Sequence, residues 1–282
     1  VERQKPDDQG LKGVDKMIRS LYAGVSGMRN HQIRMDVIGN NIANVNAYGF
    51  KGAKATFQDT LSQTLKGAGG GRNAIQVGTG MSLATIGINM EQGPLQMTGR
   101  NLDVAINGEG FFMVQANVDG APAGTVYYTR DGNFYLNDQG YLVTADGYFV
   151  VSGDGEAIQV RLPDNPAITS LNIEQNGRVV VNGEERGNIR LATFSNPEGL
   201  ERVGKNLFRA TAASGEGGGV ENPRIPGEEG VGTLEAGYLE MSNTDLSDEF
   251  TTMITTQRGY QANARIITVS DTLLEELINL KR

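Results

Sequence analysis

The 282-residue chain has no cysteine, no tryptophan and a single histidine, His31. Without cysteine there can be no disulfide, thiolate metal site or thiol nucleophile. The absence also suits a chain that leaves the cell unfolded, since no thiol can cross-link on the way. No apolar run reaches the ~18 residues that span a bilayer, and the first residues lack the apolar stretch of a signal peptide. Positive charge is in deficit: 25 Lys and Arg face 33 Asp and Glu, for a formal net charge of −8. Nucleic-acid binders cluster Lys and Arg, and anionic membranes attract them, so neither partner is expected. With one His and no Cys, no metal or other cofactor is expected. No nucleophile or carboxylate motif accompanies His31, which lies mid-helix as a surface or bundle-packed residue, so neither catalysis nor a small-molecule substrate is expected. The stretches "NGEGFF" and "SGDGEA" are too short and wrongly placed for phosphate loops.

Glycine is plentiful, at 39 residues. Without a collagen period this implies many tight turns joining short strands. "FFMVQANV", "TVYYTRDGNFYLNDQGYLVTADGYFVV" and "IRLATFS" are rich in β-branched and aromatic residues. Asp-Gly, Asn-Gly and Gln-Gly pairs punctuate them as hairpin signals. The fixed nonapeptide period of calcium-binding repeats is missing, so these are read as turns. The Gly-rich segments 66–80 and 213–232 read as loops.

The two ends differ from this body. From Ile18, one seven-residue series runs Leu21, Met28, Met35, Ile42, and a second runs Ile18, Val25, Gln32, Gly39. At the far end Leu246, Met253, Tyr260, Ile267 and Leu274 recur every seven residues, with Phe250, Gln257, Ala264, Asp271 and Ile278 beside them. Both are helix-bundle patterns. A further stripe, Ile266, Val269, Leu273, Leu277 and Leu280, implies more than one helical neighbour for the C-terminal helix. Gly24, Gly27 and Gly39 weaken the first helix by roughly 1 kcal/mol each against Ala, which makes sense where a neighbouring backbone approaches closely. Asn40, Asn41, Asn44, Asn46 and Gly49 stop that helix and turn the chain outward, since Asn bonds local backbone and tolerates left-handed geometry. Both ends are expected to be loose in an isolated chain and to order on assembly.

The fold class expected is mainly β: a hairpin-rich body carried by a discontinuous, coiled-coil-like helical domain from the two termini. Residues 1–16, with four positive and four negative side chains, are expected to be a disordered extension. Met17 is expected to be the natural start, which the intact mass of the native protein would decide. Residues 17–56 pack with 240–282, a connecting segment spans 57–98, and the β body spans 99–239. The expected assembly contacts are Leu21, Val25, Met28, Met35, Ile42, Leu246, Phe250, Met253, Tyr260, Ile267, Leu274 and Ile278.

"SLYAGVSGM…MDVIGNNIANVNAYGFK", "TGRNLDVAINGEGFFMV", "YTRDGNFYLNDQGYLVTADGY" and "GYLEMSNTDLSDEFTTMITTQRGYQANARIITVSD" resemble, in order, the motifs of bacterial flagellar rod and hook proteins. The likeness covers residues 17–282. Met241, Thr244, Asp245, Leu246, Gly259 and Gln261 follow the hook pattern, so the expectation is a compact hook subunit, a flexible universal joint between rod and filament. The short chain keeps the distal rod, a drive shaft, as the alternative; a secreted self-associating adhesin is more remote. The resemblance implies export without a cleaved signal by the flagellar export apparatus. It also implies a helical homopolymer, with the terminal helices lining the channel and the β body outside. The further partners implied are rod, hook-cap and hook–filament junction proteins.

Overall fold

A computed structural model describes residues 7–67, 71, 73–118, 121–153, 155–160, 170–215, 223–228 and 230–280. The chain divides into a helical unit, residues 1–43, 53–87 and 245–282, and a β unit, residues 44–52 and 88–244. It passes from one to the other four times, at 43/44, 52/53, 87/88 and 244/245.

The helical unit holds α1 (Asp7–Ala43, 37 residues) and α2 (Leu246–Leu280, 35 residues). Helix α1 ends at Ala43, within the asparagine-rich stretch. Its beginning corrects the expectation of a disordered 1–16: the backbone of residues 7–16 continues the helix, and residues 1–6 lie outside those described. Gly10 and Gly13 weaken that stretch without breaking it, Pro6 is the first residue that would, and Lys and Asp side chains are compatible with helix when solvated. Between the helices in sequence lies one long β arm. Strand β1 (Ala53–Asp59) pairs with β4 (Met81–Ile88), and β2 (Ser62–Lys66) pairs with β3 (Ile75–Gly78). So residues 53–87, mostly expected as connecting segment, belong with the helices, and part of the expected 66–80 loop is strand. Asn30 Nδ2 on α1 donates to Met81 O at 2.7 Å, and Arg19 donates to Gln63 at 2.8 Å.

The β unit contains β5 (Leu95–Met97), β6 (Val104–Asn107), β7 (Phe111–Val118), β8 (Ala121–Thr129), β9 (Phe134–Leu136), β10 (Leu142–Thr144) and β11 (Phe149–Val150). It continues with β12 (Leu171–Ile173), β13 (Arg178–Val181), β14 (Glu184–Asn188), β15 (Leu191–Ala192), β16 (Glu201–Gly204), β17 (Leu207–Arg209), β18 (Thr233–Ala236) and β19 (Tyr238–Glu240). The main sheet runs β16-β17-β8-β7-β11-β10-β9, with β15 also on β7. A three-stranded sheet, β12-β13-β14, and two pairs, β18-β6 and β19-β5, complete it.

Strand β7 begins with four buried residues in a row, and its two faces pack into different clusters. Phe112 and Val114 join Val104, Ile106, Phe134 and Leu142; Phe111 and Met113 join Tyr128, Phe194 and Phe208. A strand covered on both faces reads as a continuous apolar run. Asn182-Gly183 closes the β13–β14 hairpin with both residues at positive φ, 53° and 86°, the geometry of a type I′ turn. Charge is divided unevenly. The β unit has 21 acidic against 11 basic residues, net −10, whereas the helical unit has 12 against 14, net +2.

Candidate functional site: the terminal helix pair

The helices run antiparallel, and glycines set their register. An added Cβ at Gly24 would lie 3.3 Å from Ile267 Cγ1, at Gly27 2.6 Å from Asn263 Nδ2, and at Gly259 2.7 Å from His31 Nε2. Each glycine is therefore a notch filled by a side chain of the opposite helix, two notches on α1 and one on α2. The expected backbone approach is seen at Gly24, where Asn263 O would lie 3.5 Å from an added Cβ; at Gly27 the neighbour is the Asn263 side chain, and Gly39 has open space. Ser20 and Ser270 hydroxyls meet at 3.3 Å toward one end. Toward the other, Asn41 Nδ2 donates to Glu249 Oε1 at 2.7 Å.

Asn41 is the principal member of the asparagine cluster. At 2% exposure, its amide also donates to Ala53 O at 2.8 Å and accepts from Ala53 N at 3.0 Å. One side chain thus fixes the end of α1, the start of β1 and the first turns of α2. Asn40 is exposed on the last turn of α1. The other three belong to the β unit: Asn44 O accepts from Ala47 N at 3.1 Å, Asn46 is exposed, and Gly49 has φ 64°. A Cβ at Gly49 would sit 2.5 Å from Asp131 N, so only glycine fits there.

The residues expected as assembly contacts fall into two groups. Leu21, Met28, Met35, Ile42, Met253, Ile267 and Leu274 are half-buried, while Val25, Leu246, Phe250, Tyr260 and Ile278 are exposed. The α2 face toward α1 is Thr256, Gly259, Asn263, Ile267 and Ser270, largely small or polar. Apolar periodicity found Ile267 and missed the other four. The signal that could have found them is the equal seven-residue spacing of Thr256, Asn263 and Ser270. Small residues draw the backbones together, which turns Phe250 (50% exposed), Val269 (57%) and Ile278 (67%) away from α1. On α1, Tyr22 is 70% exposed beside Ile18 and Val25. Exposed apolar side chains thus lie along both helices. The side chains of Leu277 and Leu280 lie outside those described.

His31 packs against Gly259 with Nδ1 buried and unpartnered among the described residues. Burial, then neighbouring Arg34, lowers its proton affinity.

Within the β unit, hydrogen bonds hold residues 48–52 from several sides. Asn206 Nδ2 donates to Tyr48 O at 2.8 Å, and Gly49 N donates to Glu240 O at 2.8 Å. Arg202 donates to Lys51 O, and Gly52 N donates to Asn243 Oδ1 at 2.8 Å. Gly52 O accepts from Asn89 N at 2.8 Å. Lys51 Nζ, fully buried, reaches Glu240 Oε1 at 2.6 Å and Glu91 O at 2.7 Å. Burial lowers the Lys51 pKa, Glu240 opposes this, and Arg130 adds to the lowering.

These features define a structural class: a chain whose paired terminal helices expose apolar side chains and whose β unit holds residues 48–52 from several sides. The chain belongs to the flagellar rod and hook family of axial structural proteins, whose members polymerise within the flagellum. Residues 21–51 match the flagella basal body rod protein family, 105–181 the flagellar hook protein FlgE/F/G D1 domain, and 235–280 the flagellar basal body rod FlgEFG protein C-terminal family. The first match covers most of α1 and reaches Lys51, and the last covers α2. The flagellar basal-body rod protein FlgG of Bacillus subtilis is 46% identical over 277 residues, 94% of this chain and 100% of the relative. That of Borreliella burgdorferi is 39% identical with the same coverage. The flagellar hook protein FlgE of Borreliella burgdorferi is 29% identical in an alignment spread over 453 positions.

Proposed function

We propose that this chain is the distal rod subunit of the flagellum, a rigid drive-shaft segment, rather than the hook. The carrying observation is the end-to-end match to basal-body rod proteins at 46% and 39% identity. The hook relative is less similar and its alignment is far longer than this chain. The hook-like Met241, Thr244 and Asp245 lie in a stretch the two classes share, so they discriminate poorly. Subunits polymerise with copies of themselves into a helical tube and contact neighbouring rod segments below and the hook above. The hook-cap and hook–filament junction partners belonged to the hook reading and fall away with it. The apolar stripe of α1 and α2 is the polymer contact, lining the tube wall, and the acidic β unit forms the outer layer. The chain reaches its site unfolded through the export apparatus. Electron microscopy of basal bodies from a strain lacking the gene tests this. Truncated rods are expected; complete rods that end without a hook would restore the hook reading.

A further inference from the structure

Glu240 sits at the end of β19 and is buried completely. Its Oε1 accepts from Lys51 Nζ at 2.6 Å and from Gly93 N at 2.9 Å, and its Oε2 faces Arg130 Nη1 at 3.4 Å. These partners precede it by 189, 147 and 110 residues. Lys51 and Arg130 are buried almost as fully, and among the described residues Glu240 is the one carboxylate bonded to both. Arg130 also lies over the Phe111 ring at 5.1 Å and has no acceptor for Nε among the described residues. A β unit packed without residue 240 would hold Lys51 with no counter-charge and Arg130 with only the field of exposed Glu109, a state strongly disfavoured against one that leaves both cations in water.

Strand pairing points the same way. Strands β5 and β6 open the unit in sequence after residue 88, and their partners are β19 and β18, the last two strands of the chain. Val104, Ala105 and Ile106 of β6 are completely buried, and Ile106 faces Leu234 in register. Until 233–240 arrives, β6 lacks a pairing partner and the core lacks one wall.

We propose that Glu240 is the closing residue of the β unit, so that the unit completes only when the C-terminal strands deliver this carboxylate to Lys51 and Arg130. Resting on the reading that the chain is exported unfolded, this device defers folding while any part of 233–240 is still inside a channel. Its test does not depend on which axial segment the chain builds.

Full-length protein is refolded from urea and pulse-labelled by hydrogen exchange. Amides of β6, β7 and residues 234–240 are expected to gain protection in a single phase. Protection of β7 and β8 in an earlier, separate phase would overturn the proposal. Glu240→Gln is expected to slow that phase at least tenfold, or to leave β6 and β7 unprotected. Wild-type rates in the variant would also overturn it. Because that variant can simply fail to fold, Arg209→Gln serves as a comparison: its partner Glu201 lies on the adjacent strand, exposed. It is expected to leave the phase unchanged, and an equal slowing there would remove the special role of Glu240.

Discussion

Replacing Asp131 with Asn should stabilise the β unit at neutral pH, and the effect should fade in acid. Asp131 follows β8; its Oδ1 accepts from Asn133 N at 3.1 Å, and its own N–H donates to Thr129 Oγ1 at 3.0 Å. Burial lifts its pKa from the ordinary 3.8 to about 6; the Asn133 bond opposes this, and Asp103 and Asp146 add to the lift. The folded state therefore holds this proton more tightly than the unfolded chain. Its stabilising contribution is complete below the unfolded pKa and is lost as pH rises through about 6. A shift of about two units corresponds to ~3 kcal/mol at pH 7.5, an upper figure because the side chain keeps some exposure to water. At pH 5 the same linkage leaves about 1.6 kcal/mol, and little remains near pH 4. Asparagine keeps the acceptor for Asn133 but carries no charge to desolvate. With a urea slope of ~2 kcal/mol/M, the midpoint of the β unit should rise by about 1.5 M at pH 7.5 and by roughly half that at pH 5. The assay is equilibrium urea unfolding of wild type and Asp131→Asn, followed by tyrosine fluorescence. A variant midpoint equal to or below wild type at pH 7.5, or a difference that does not shrink with acid, would refute the reasoning.

The helical unit yields four further expectations. Asn41→Ala leaves both polar groups of Ala53 and Glu249 without this partner and should cost ~2–4 kcal/mol, read as a lower urea concentration for polymer dissociation and faster exchange at the Ala53 amide. Gly259→Leu should block the His31 notch and abolish assembly seen by sedimentation, whereas Gly39→Ala, with open space around it, should be neutral or gain up to ~1 kcal/mol. Tyr260→Asp puts a charge into the proposed polymer contact and should prevent tube formation while leaving the β unit's urea midpoint unchanged; normal tubes would remove Tyr260 from the contact. In dilute monomer, amides of residues 250–275 should exchange rapidly and become protected in the polymer, since the α2 face toward α1 carries mostly small or polar side chains; strong protection in the monomer would contradict ordering on assembly.

Local chemistry carried most of what could be read in advance. Asn182-Gly183 fixes a two-residue turn by its own backbone preferences, and the β-branched and aromatic run beginning at Phe111 reads as a strand, though that both its faces are covered was not read from it. The helices were visible for a similar reason: a seven-residue repeat survives whatever the neighbours are. Close approach at Gly24 and Gly27 and the apolar Ile267 were legible, but the rest of the α2 pairing face was hidden because apolar residues dominate a periodicity count, whereas Thr256, Gly259, Asn263 and Ser270 are small or polar. The ion cluster was hidden by distance along the chain, with Lys51 and Glu240 separated by 189 residues. The β arm at 53–87 escaped notice because β3 is exposed along its whole length, so it shows no alternation between buried and solvated positions.

The uneven charge of the subunit changes meaning once many copies stand in line. A net −10 on one β unit is modest, but if the β unit forms the outer layer of the tube as proposed, repetition along a helical polymer makes it a continuous polyanionic coat. Between neighbours closer than the ~8 Å screening length of physiological salt, that coat pushes subunits apart, and the helical contacts must exceed the repulsion. Between separate tubes such a coat would act as a colloidal stabiliser, opposing side-by-side bundling and repelling anionic lipid and nucleic acid. Adding salt should therefore do two opposite things to this polymer: tighten each tube and let tubes stick together.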